Sequence, residues 1–272
     1  MALNAKAPAW TMHQVEIALE DPEPAIRLRI VMEPTFSPTE QQFMRAVDRG
    51  TPEAISGMLA RTTASLAPLA LKHPSALSRS LAYSLPSIHL SPEQVNAGIQ
   101  DTDRQVRLAV VSRTDFHPSA QQIETLLAIG DSQAISAAGK KANEECVGAA
   151  ISLSYPLVDR IVSEAADITS AQLKQCLADQ RCDVALAALE RRHQKLTKEH
   201  LAIGMRSQHE AVRVKAMSLY GIGRLSAQQL EERISDTSGR IRSLIIACTI
   251  SNYLPMRLNA LYQIEQFASE VR

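Results

Sequence analysis

Apolar side chains recur along this chain at helical spacing, in short groups that themselves return at a longer, nearly fixed interval. One group lies in SPEQVNAGIQDTDRQVRLAV, residues 91–110, where Ser91 and Gln94 precede aliphatic side chains at Val95 and Ile99. Residues four apart share one face of an α-helix. A Ser or Thr followed three positions later by Gln or Glu is typical of a helix N-cap with a capping box. The stretch therefore predicts a short amphipathic helix that begins directly after Ser91.

Seven copies of this pattern have a polar residue three positions after the Ser or Thr, and two weaker copies begin at Ser65 and Asn143, which together predict a repeat protein. Successive starts lie 24 to 29 residues apart, at Thr11, Thr39, Ser65, Ser91, Ser119, Asn143, Thr169, Thr197 and Ser226. A second apolar run follows each start, fifteen or sixteen residues on in eight copies and twelve in the third, at Ile26, Ile55, Leu77, Val106, Ile135, Val158, Val184, Val212 and Ile241. Each copy therefore predicts two helices joined by a turn, and several of these turns are rich in aspartate.

Helices of about ten residues are marginal in isolation, so neighbouring units must stack to bury their apolar faces. The predicted fold is all-α: a right-handed α-solenoid of about nine two-helix repeats of 24–29 residues, curved, with a concave face. Residues 1–10 are predicted as an N-terminal arm, residues 11–254 as the solenoid and residues 255–272 as a C-terminal capping helix. The alternative for the last segment is a helix that docks on a partner or on a second copy of the chain, which would make an oligomer.

Composition agrees with helices and argues against several other classes. Aromatic residues make up 4% of the 272 residues and ten are glycine, which disfavours β-sandwiches, barrels and doubly wound sheets. None of the four cysteines forms a CxxC pair, so we predict no metal site and expect reduced, buried thiols. The N-terminal residues have no apolar core of signal-peptide length, and the least polar stretch, residues 146–158, is too short to span a bilayer. We therefore expect a soluble, cytoplasmic protein without membrane contacts.

Two stretches, SPEQVNAGIQDTDRQVRLAVVSRTDF and TKEHLAIGMRSQHEAVRVKAMSLYG, contain a helix, an acidic turn and a second helix that opens with Val-Arg. They resemble the short helical repeats of the HEAT-like and leucine-rich-variant families. The resemblance covers residues 11 to about 250 and implies a stacked helical architecture but hardly any activity. Some leucine-rich-variant proteins carry an N-terminal cysteine cluster for an iron–sulfur centre. The first cysteine here is Cys146, so that role does not transfer and we predict no cofactor.

Aspartate and arginine recur six residues apart, from a turn into the following helix. The residues concerned are Asp21 with Arg27, Asp101 with Arg107, Asp236 with Arg242, and Arg213, which follows Ser207. Because acid and base recur together, we interpret them as a structural ladder in which each arginine binds the turn aspartate of its own or a neighbouring repeat. The resemblance to HEAT-like repeats implies the same ladder. The alternative is a row of arginines that bind phosphates. A ladder would set the register of the repeats more than their net stability.

Basic residues are concentrated towards the C-terminal end. Residues 169–245 contain 13 Lys and Arg against 8 Asp and Glu, whereas residues 1–60 contain 5 against 8. The stretch RRHQKLTKEH, residues 191–200, lies at a junction between two repeats. The predicted binding residues, which would meet a phosphate backbone or an acidic protein surface, are Arg191, Arg192, Lys195, Lys198 and Lys215. The alternative is a solvated turn without a binding role.

No P-loop, GxGxxG, HExxH or GxSxG motif occurs, so we predict no catalytic residues and no enzyme. Basic and acidic residues are equal in number, 29 of each, which argues against a surface built wholly for nucleic acid. The predicted function is a non-enzymatic binding module (scaffold, adaptor or inhibitor) that holds a partner protein on the repeat surface. The alternative is a nucleic-acid-binding or DNA-repair protein that uses the basic C-terminal repeats. A glycosylase is disfavoured, since the single Trp10 precedes the repeats and the tyrosines do not fall in phase.

Overall fold

The computed structural model describes residues 10–33, 36–60, 66–191, 195–221, 225–243 and 245–246, and within these ranges every regular element is a helix. The helices with defined bounds in these ranges are α1 (Met12–Glu20), α2 (Pro24–Met32), α3 (Glu40–Arg49), α4 (Pro52–Leu59), α5 (Ala67–Leu71), α6 (Ala76–Ser84), α7 (Pro92–Ile99), α8 (Arg104–Ser112), α9 (Ala120–Ile129), α10 (Ser132–Gly139), α11 (Glu144–Ser152), α12 (Val158–Glu164), α13 (Ser170–Leu177), α14 (Cys182–Glu190), α15 (Lys198–Met205), α16 (Glu210–Tyr220) and α17 (Ala227–Ile234). The prediction of an all-α repeat fold is confirmed.

The first helix of nearly every repeat begins where the sequence pattern predicts it. The N-caps of α1, α3, α7, α9, α11, α13, α15 and α17 are Thr11, Thr39, Ser91, Ser119, Asn143, Thr169, Thr197 and Ser226. All except Asn143 form a complete capping box with the side chain three residues later. The third repeat differs, because Ser65 lies outside the described residues and α5 begins after Leu66 without a side-chain cap. The caps satisfy orphan N–H groups of the first turn, and this fixes where these short helices start.

The helices form two compact units, Met1–Leu157 with α1 to α11 and Val158–Arg272 with α12 to α17. In the first unit the second helices α2, α4, α6, α8 and α10 pack side by side, and α1 with α3 and α7 with α9 and α11 form the other layer. In the second unit α12, α14 and α16 pack side by side and α13 packs on α15. Each unit is therefore a stack of two-helix repeats. The division falls inside the sixth repeat, after Leu157, whose φ of 66° lies in the left-handed region.

The second helices bury most of the side chains that the spacing predicts. Residues at most 2% exposed are Ile55, Val106, Ile135, Val158, Val184, Val212 and Ile241. Ile26, in contrast, is 42% exposed, because the second helix α2 has only one described second-helix neighbour, α4. Leu77 is 44% exposed, whereas the neighbouring Ser78 is buried. Ser78 directly precedes Arg79, as the buried Val106 directly precedes Arg107. The third repeat therefore keeps the phase of the others, and the prediction that Leu77 is its core residue was wrong.

Other expectations concern the first helices and the ends of the chain. In α7, Ile99 is buried as predicted whereas Val95 is half-buried. None of the helices in the described ranges combines the length and the apolar character that crossing a bilayer requires. Residues 1–9 of the predicted arm and the predicted capping helix at 255–272 lie outside the described residues.

Candidate functional site

The Asp–Arg pairs of the sequence lie in a ladder between repeats, and its clearest rung is Arg107. The Nη1 atom of Arg107 donates to the backbone oxygens of Asp101 at 2.8 Å and Thr102 at 3.1 Å, in the turn of its own repeat. Its Nε and Nη2 atoms donate to Oδ2 of Asp131 in the next repeat, at 3.1 and 2.8 Å. One guanidinium therefore ties two repeats together, and the carboxylate that balances its charge belongs to the following repeat.

Two further rungs share this geometry. The Nε and Nη2 atoms of Arg79 donate to Asp101 at 2.7 and 2.9 Å, and those of Arg213 donate to Asp236 at 3.0 and 2.9 Å. Sequence reasoning missed Arg79 and Asp131, because Arg79 has no acid six residues earlier and Asp131 is itself the N-cap of α10. Burial raises the pKa of Asp101 and of Asp236, but hydrogen bonds from the arginines and from a backbone N–H outweigh it, and both pKa values lie below their usual range.

Within the described residues, the outermost predicted rungs show only the bonds to the backbone of their own turn. Arg27 donates to backbone oxygens of its own turn, that of Asp21 included, but its buried Nε has no partner among the described residues. In the next repeat, Arg49 and Thr51 stand at the turn positions that are Asp101 and Asp103 in the fourth repeat. Neither carries a carboxylate that could bind Arg27. Arg242 likewise donates to backbone oxygens of its own turn. Each of these guanidinium groups donates to backbone oxygens of the turn in its own repeat. The geometry therefore favours the ladder over a row of phosphate-binding arginines.

A second set of cations joins consecutive second helices. Each of these cations, here called end cations, lies ten residues after the N-cap of its helix and donates to backbone oxygens at the carboxyl end of the preceding second helix. The end cations and their acceptors are Arg113 with Tyr83, Leu85 and Ile88, Lys141 with Val111 and Arg113, and Arg191 with Val162 and Ala165. The last carbonyl groups of a helix have no partner within it and carry partial negative charge, so a cation there satisfies both needs.

This placement corrects the interpretation of Arg191 as a binding residue. Arg191 is 7% exposed, and its guanidinium donates to the backbone oxygens of Val162 and Ala165, the latter at 2.7 Å. A partner has no access to donors that are used inside the fold. The basic stretch at 191–200 suggested a surface loop, whereas the informative signal was the spacing of ten residues that Arg191 shares with Arg113 and Lys141.

The other predicted binding residues do not form one patch. Lys195 and Lys198 are exposed before and at the start of α15. Lys215, on α16, is half-buried, and its Nζ lies 2.9 Å from Oε1 of Glu190. Arg192 lies outside the described residues. The structure brings Lys215 to the same groove as Arg191, and that groove is the candidate functional site.

The groove lies at the carboxyl ends of α12, α14 and α16 in the second unit. It has a volume of about 850 Å³ and is lined by Ser163, Glu164, Leu189, Glu190, Arg191, Lys215 and Leu219. Leu219 is 46% exposed, which places an apolar side chain among charged ones. The aligned helix ends direct partial negative charge towards the same region.

Acidic side chains outnumber accessible basic ones on α12, α14 and α16. In α12, α14 and α16 the carboxylates are Asp159, Glu164, Asp183, Glu190 and Glu210, and the basic side chains are Arg160, Arg213 and Lys215. Arg213 is 7% exposed and bound to Asp236, so it adds little charge to the surface. The basic excess that the sequence shows for residues 169–245 therefore does not lie on α12, α14 and α16.

The described cysteines are thiols in apolar or partly buried surroundings. Cys146 and Cys176 are buried and Cys182 is half-buried. Burial raises the pKa of Cys176 to about 12, which keeps the thiol protonated and unreactive at neutral pH. Across the described ranges, no cluster of three or more His, Cys, Asp and Glu side chains is placed to hold a metal ion.

The fold and the groove define a class: a helical-repeat protein with a groove at the ends of consecutive second helices. No protein-family model matches the chain, and no curated protein matches it. Among solved structures, the chain is similar to one described as "a leucine-rich repeat variant with a novel repetitive protein structural motif". The two share 20% sequence identity over 71% of this chain and 74% of that chain, with a TM-score of 0.45.

Proposed function

We propose that the chain is a non-enzymatic binding module that holds a partner protein in the groove at the ends of α12, α14 and α16. A scaffold, an adaptor and an inhibitor would all use such a surface. The observation that supports this function is the groove itself, about 850 Å³ in volume, where the exposed Leu219 lies beside Glu190 and Lys215. An apolar anchor surrounded by charged side chains is typical of protein–protein interfaces.

Nucleic-acid binding is the alternative function, and it would use Lys195 and Lys198. Affinity for phosphates rests on exposed Lys and Arg side chains. Arg191 is buried and Lys215 is paired with Glu190, so Lys195 and Lys198 are the exposed members of the predicted set in the described ranges. These two lysines are a small electrostatic footprint for nucleic acid, to which the described C-terminal repeats add the exposed Arg206, Arg240 and Arg242. These placements favour a protein partner.

Two further proposals concern the kind of repeat and the cellular compartment. We relate the repeats to the HEAT-like and leucine-rich-variant kind, because helices with capping boxes and Arg–Asp rungs recur every 24–29 residues. We also place the protein in the cytoplasm, because the described cysteines are free thiols and a reducing compartment maintains that state.

A comparison of two leucine variants tests the binding function. Leu219→Glu puts a charge into the groove, and Leu77→Glu makes the same change in the first unit at a side chain of similar exposure, 44% against 46%. Each full-length chain is tagged, expressed in the native host and purified with its bound proteins, which are quantified by mass spectrometry. We expect one stoichiometric protein to decrease by about tenfold or more with Leu219→Glu and to be retained with Leu77→Glu. Equal recovery with both variants contradicts binding in the groove.

A titration of fluorescent duplex DNA tests the alternative. A nucleic-acid ligand predicts binding that weakens steeply as salt rises and that is lost when Lys195→Glu is combined with Lys198→Glu. The earlier candidate Arg191 is not suitable for this test, because a buried glutamate there would disturb the fold. Anisotropy that stays unchanged at low salt would support the protein partner instead.

A further inference from the structure

In the described part, α6, α12 and α16 have an apolar residue (Leu85, Ala165 and Leu219) where other second helices have an end cation, and the groove lies at the last of these places. Ten residues after His209, the N-cap of α16, the chain has Leu219 where α8, α10 and α14 have Arg113, Lys141 and Arg191. A leucine side chain has no donor, so α16 offers no end cation to the carboxyl end of α14. Leu85 holds this place in the third repeat, but it is half-buried, whereas Leu219 is 46% exposed.

The end cations identify the atoms that are left without this donor. Each end cation reaches one backbone oxygen in the last turn of the preceding second helix and another just beyond its end, as Lys141 does with Val111 and Arg113. The corresponding oxygens at the end of α14 belong to Leu189 and Arg191. Both residues line the groove. The groove thus opens onto backbone acceptors that a cation occupies in the neighbouring repeats.

The charges around the groove favour a cation there. Glu164 and Glu190 both line it, and the C-terminus of α14 adds partial negative charge. The guanidinium of Arg191 is used at the end of α12, and the ammonium of Lys215 lies 2.9 Å from the carboxylate of Glu190. The basic groups among the described residues that line the groove are therefore bound within the protein. Because Lys215 also compensates Glu190, the negative charge that favours a cation comes from Glu164 and from the C-terminus of α14.

We propose that the groove binds a basic segment of the partner protein, with one Arg or Lys side chain in the place of the missing end cation. The N–H groups of that side chain donate to the backbone oxygens of Leu189 and Arg191, and its charge faces Glu164 and Glu190. A neighbouring apolar residue of the segment packs on Leu219. Arginine suits the place better than lysine, because its planar group donates to several oxygens at once. This assignment rests on the proposed binding function and specifies the chemistry of the partner.

A substitution at Leu219 that supplies a cation tests, in the free protein, whether the position lacks an end cation. Leu219→Arg restores the residue type of Arg113 and Arg191, and Leu219→Met is the matched control, since it removes the leucine without adding a donor. Urea unfolding of the full chain should show an unfolding constant about fivefold lower for Leu219→Arg than for Leu219→Met. Equal constants for the two variants would overturn the assignment of a missing end cation.

A random dodecapeptide library displayed on phage tests the chemistry of the segment. Peptides are selected on the full wild-type chain after depletion on Leu219→Arg, and the recovered peptides are synthesised. We expect them to share an Arg or Lys beside an aliphatic or aromatic residue. Each peptide should bind wild type about tenfold or more tightly than Leu219→Arg, and exchange of its basic residue for Gln should cause a similar loss.

The outcomes of this selection separate the partner chemistry from the binding function. Peptides that lack Arg and Lys, yet lose affinity for Leu219→Arg, would overturn the basic segment and leave the binding function of the groove standing. Peptides that bind wild type and Leu219→Arg equally would contradict both. A shared basic residue whose removal weakens binding supports both.

Discussion

Replacement of Arg107 by methionine removes one rung of the ladder while the helix that carries it keeps a good helix former. The side chain of Arg107 is 11% exposed and that of Asp131 is 3% exposed, so the substitution leaves a buried carboxylate without its cation. Asp131→Asn is the complementary change. It removes the charge but keeps an oxygen that accepts from the N–H groups of Gln133 and Ala134 at the start of α10.

The expected magnitudes follow from the bonds that each change removes. Arg107 makes four hydrogen bonds, two of them to the Asp131 carboxylate. Loss of one partner of a buried ion pair costs about 3–5 kcal/mol. The Nε atom of Arg104 lies 3.7 Å from Oδ1 of Asp131 and compensates part of its charge. We therefore expect Arg107→Met to lower the free energy of unfolding by about 3 kcal/mol. Asp131→Asn exchanges charge-assisted bonds for neutral ones, at about 1–2 kcal/mol.

The double variant contains neither buried charge. Its decrease in the free energy of unfolding should therefore be about 1–2 kcal/mol smaller than the sum of the decreases in the two single variants. Urea unfolding at pH 7, followed by circular dichroism at 222 nm, measures all three. Arg45→Met is the control in the same unit, because Arg45 and Glu20 form a pair whose side chains are 47% and 53% exposed, and its loss should stay below about 0.5 kcal/mol. The ladder is refuted if Arg107→Met lowers the free energy of unfolding no more than Arg45→Met does. It is also refuted if the decreases for Arg107→Met and Asp131→Asn add up in the double variant.

Three further changes test other contacts. Arg191→Met should lower the free energy of unfolding by about 2–3 kcal/mol, because the carbonyl groups at the end of α12 lose their donor, whereas the exposed Lys198→Met should change it by less than about 0.5 kcal/mol in the same urea assay. The pKa of Asp236 is lowered in the fold, so its charge stabilises the protein above the unfolded pKa of about 3.9, and this stabilisation is lost as pH falls through the lower folded value. Acid unfolding followed by circular dichroism should therefore depend less on pH below about pH 4 in Asp236→Asn. Gly98→Ala should cost about 1–3 kcal/mol, because the new Cβ would lie 2.5 Å from Cγ2 of Val110, and an unchanged thermal midpoint would contradict that packing.

The helix starts could be predicted from the sequence because their causes are local. Thr169 and Gln172 form a capping box within four residues, and the same four-residue pattern marks six other starts. The rungs were only partly predictable, since Arg107 and its carboxylate partner Asp131 are 24 residues apart and belong to different repeats. The division of the chain at Leu157 has no signal in the repeat spacing, which continues through it at 26 residues.

The candidate site was harder to predict, because residue type alone does not separate a structural cation from a binding one. Arg191 and Lys198 lie in one basic stretch, yet Arg191 is buried at the end of α12 and Lys198 is exposed. They differ in their position in the repeat: Arg191 lies ten residues after the N-cap of α14, the spacing of the other end cations, whereas Lys198 does not. Leu219 departs from that pattern, as Leu85 does, but its side chain is exposed, and from this position α16 offers no side-chain donor to the end of α14. A local departure that weakens the free protein is expected where function requires it. A partner that supplies the missing cation would explain both the leucine and the groove.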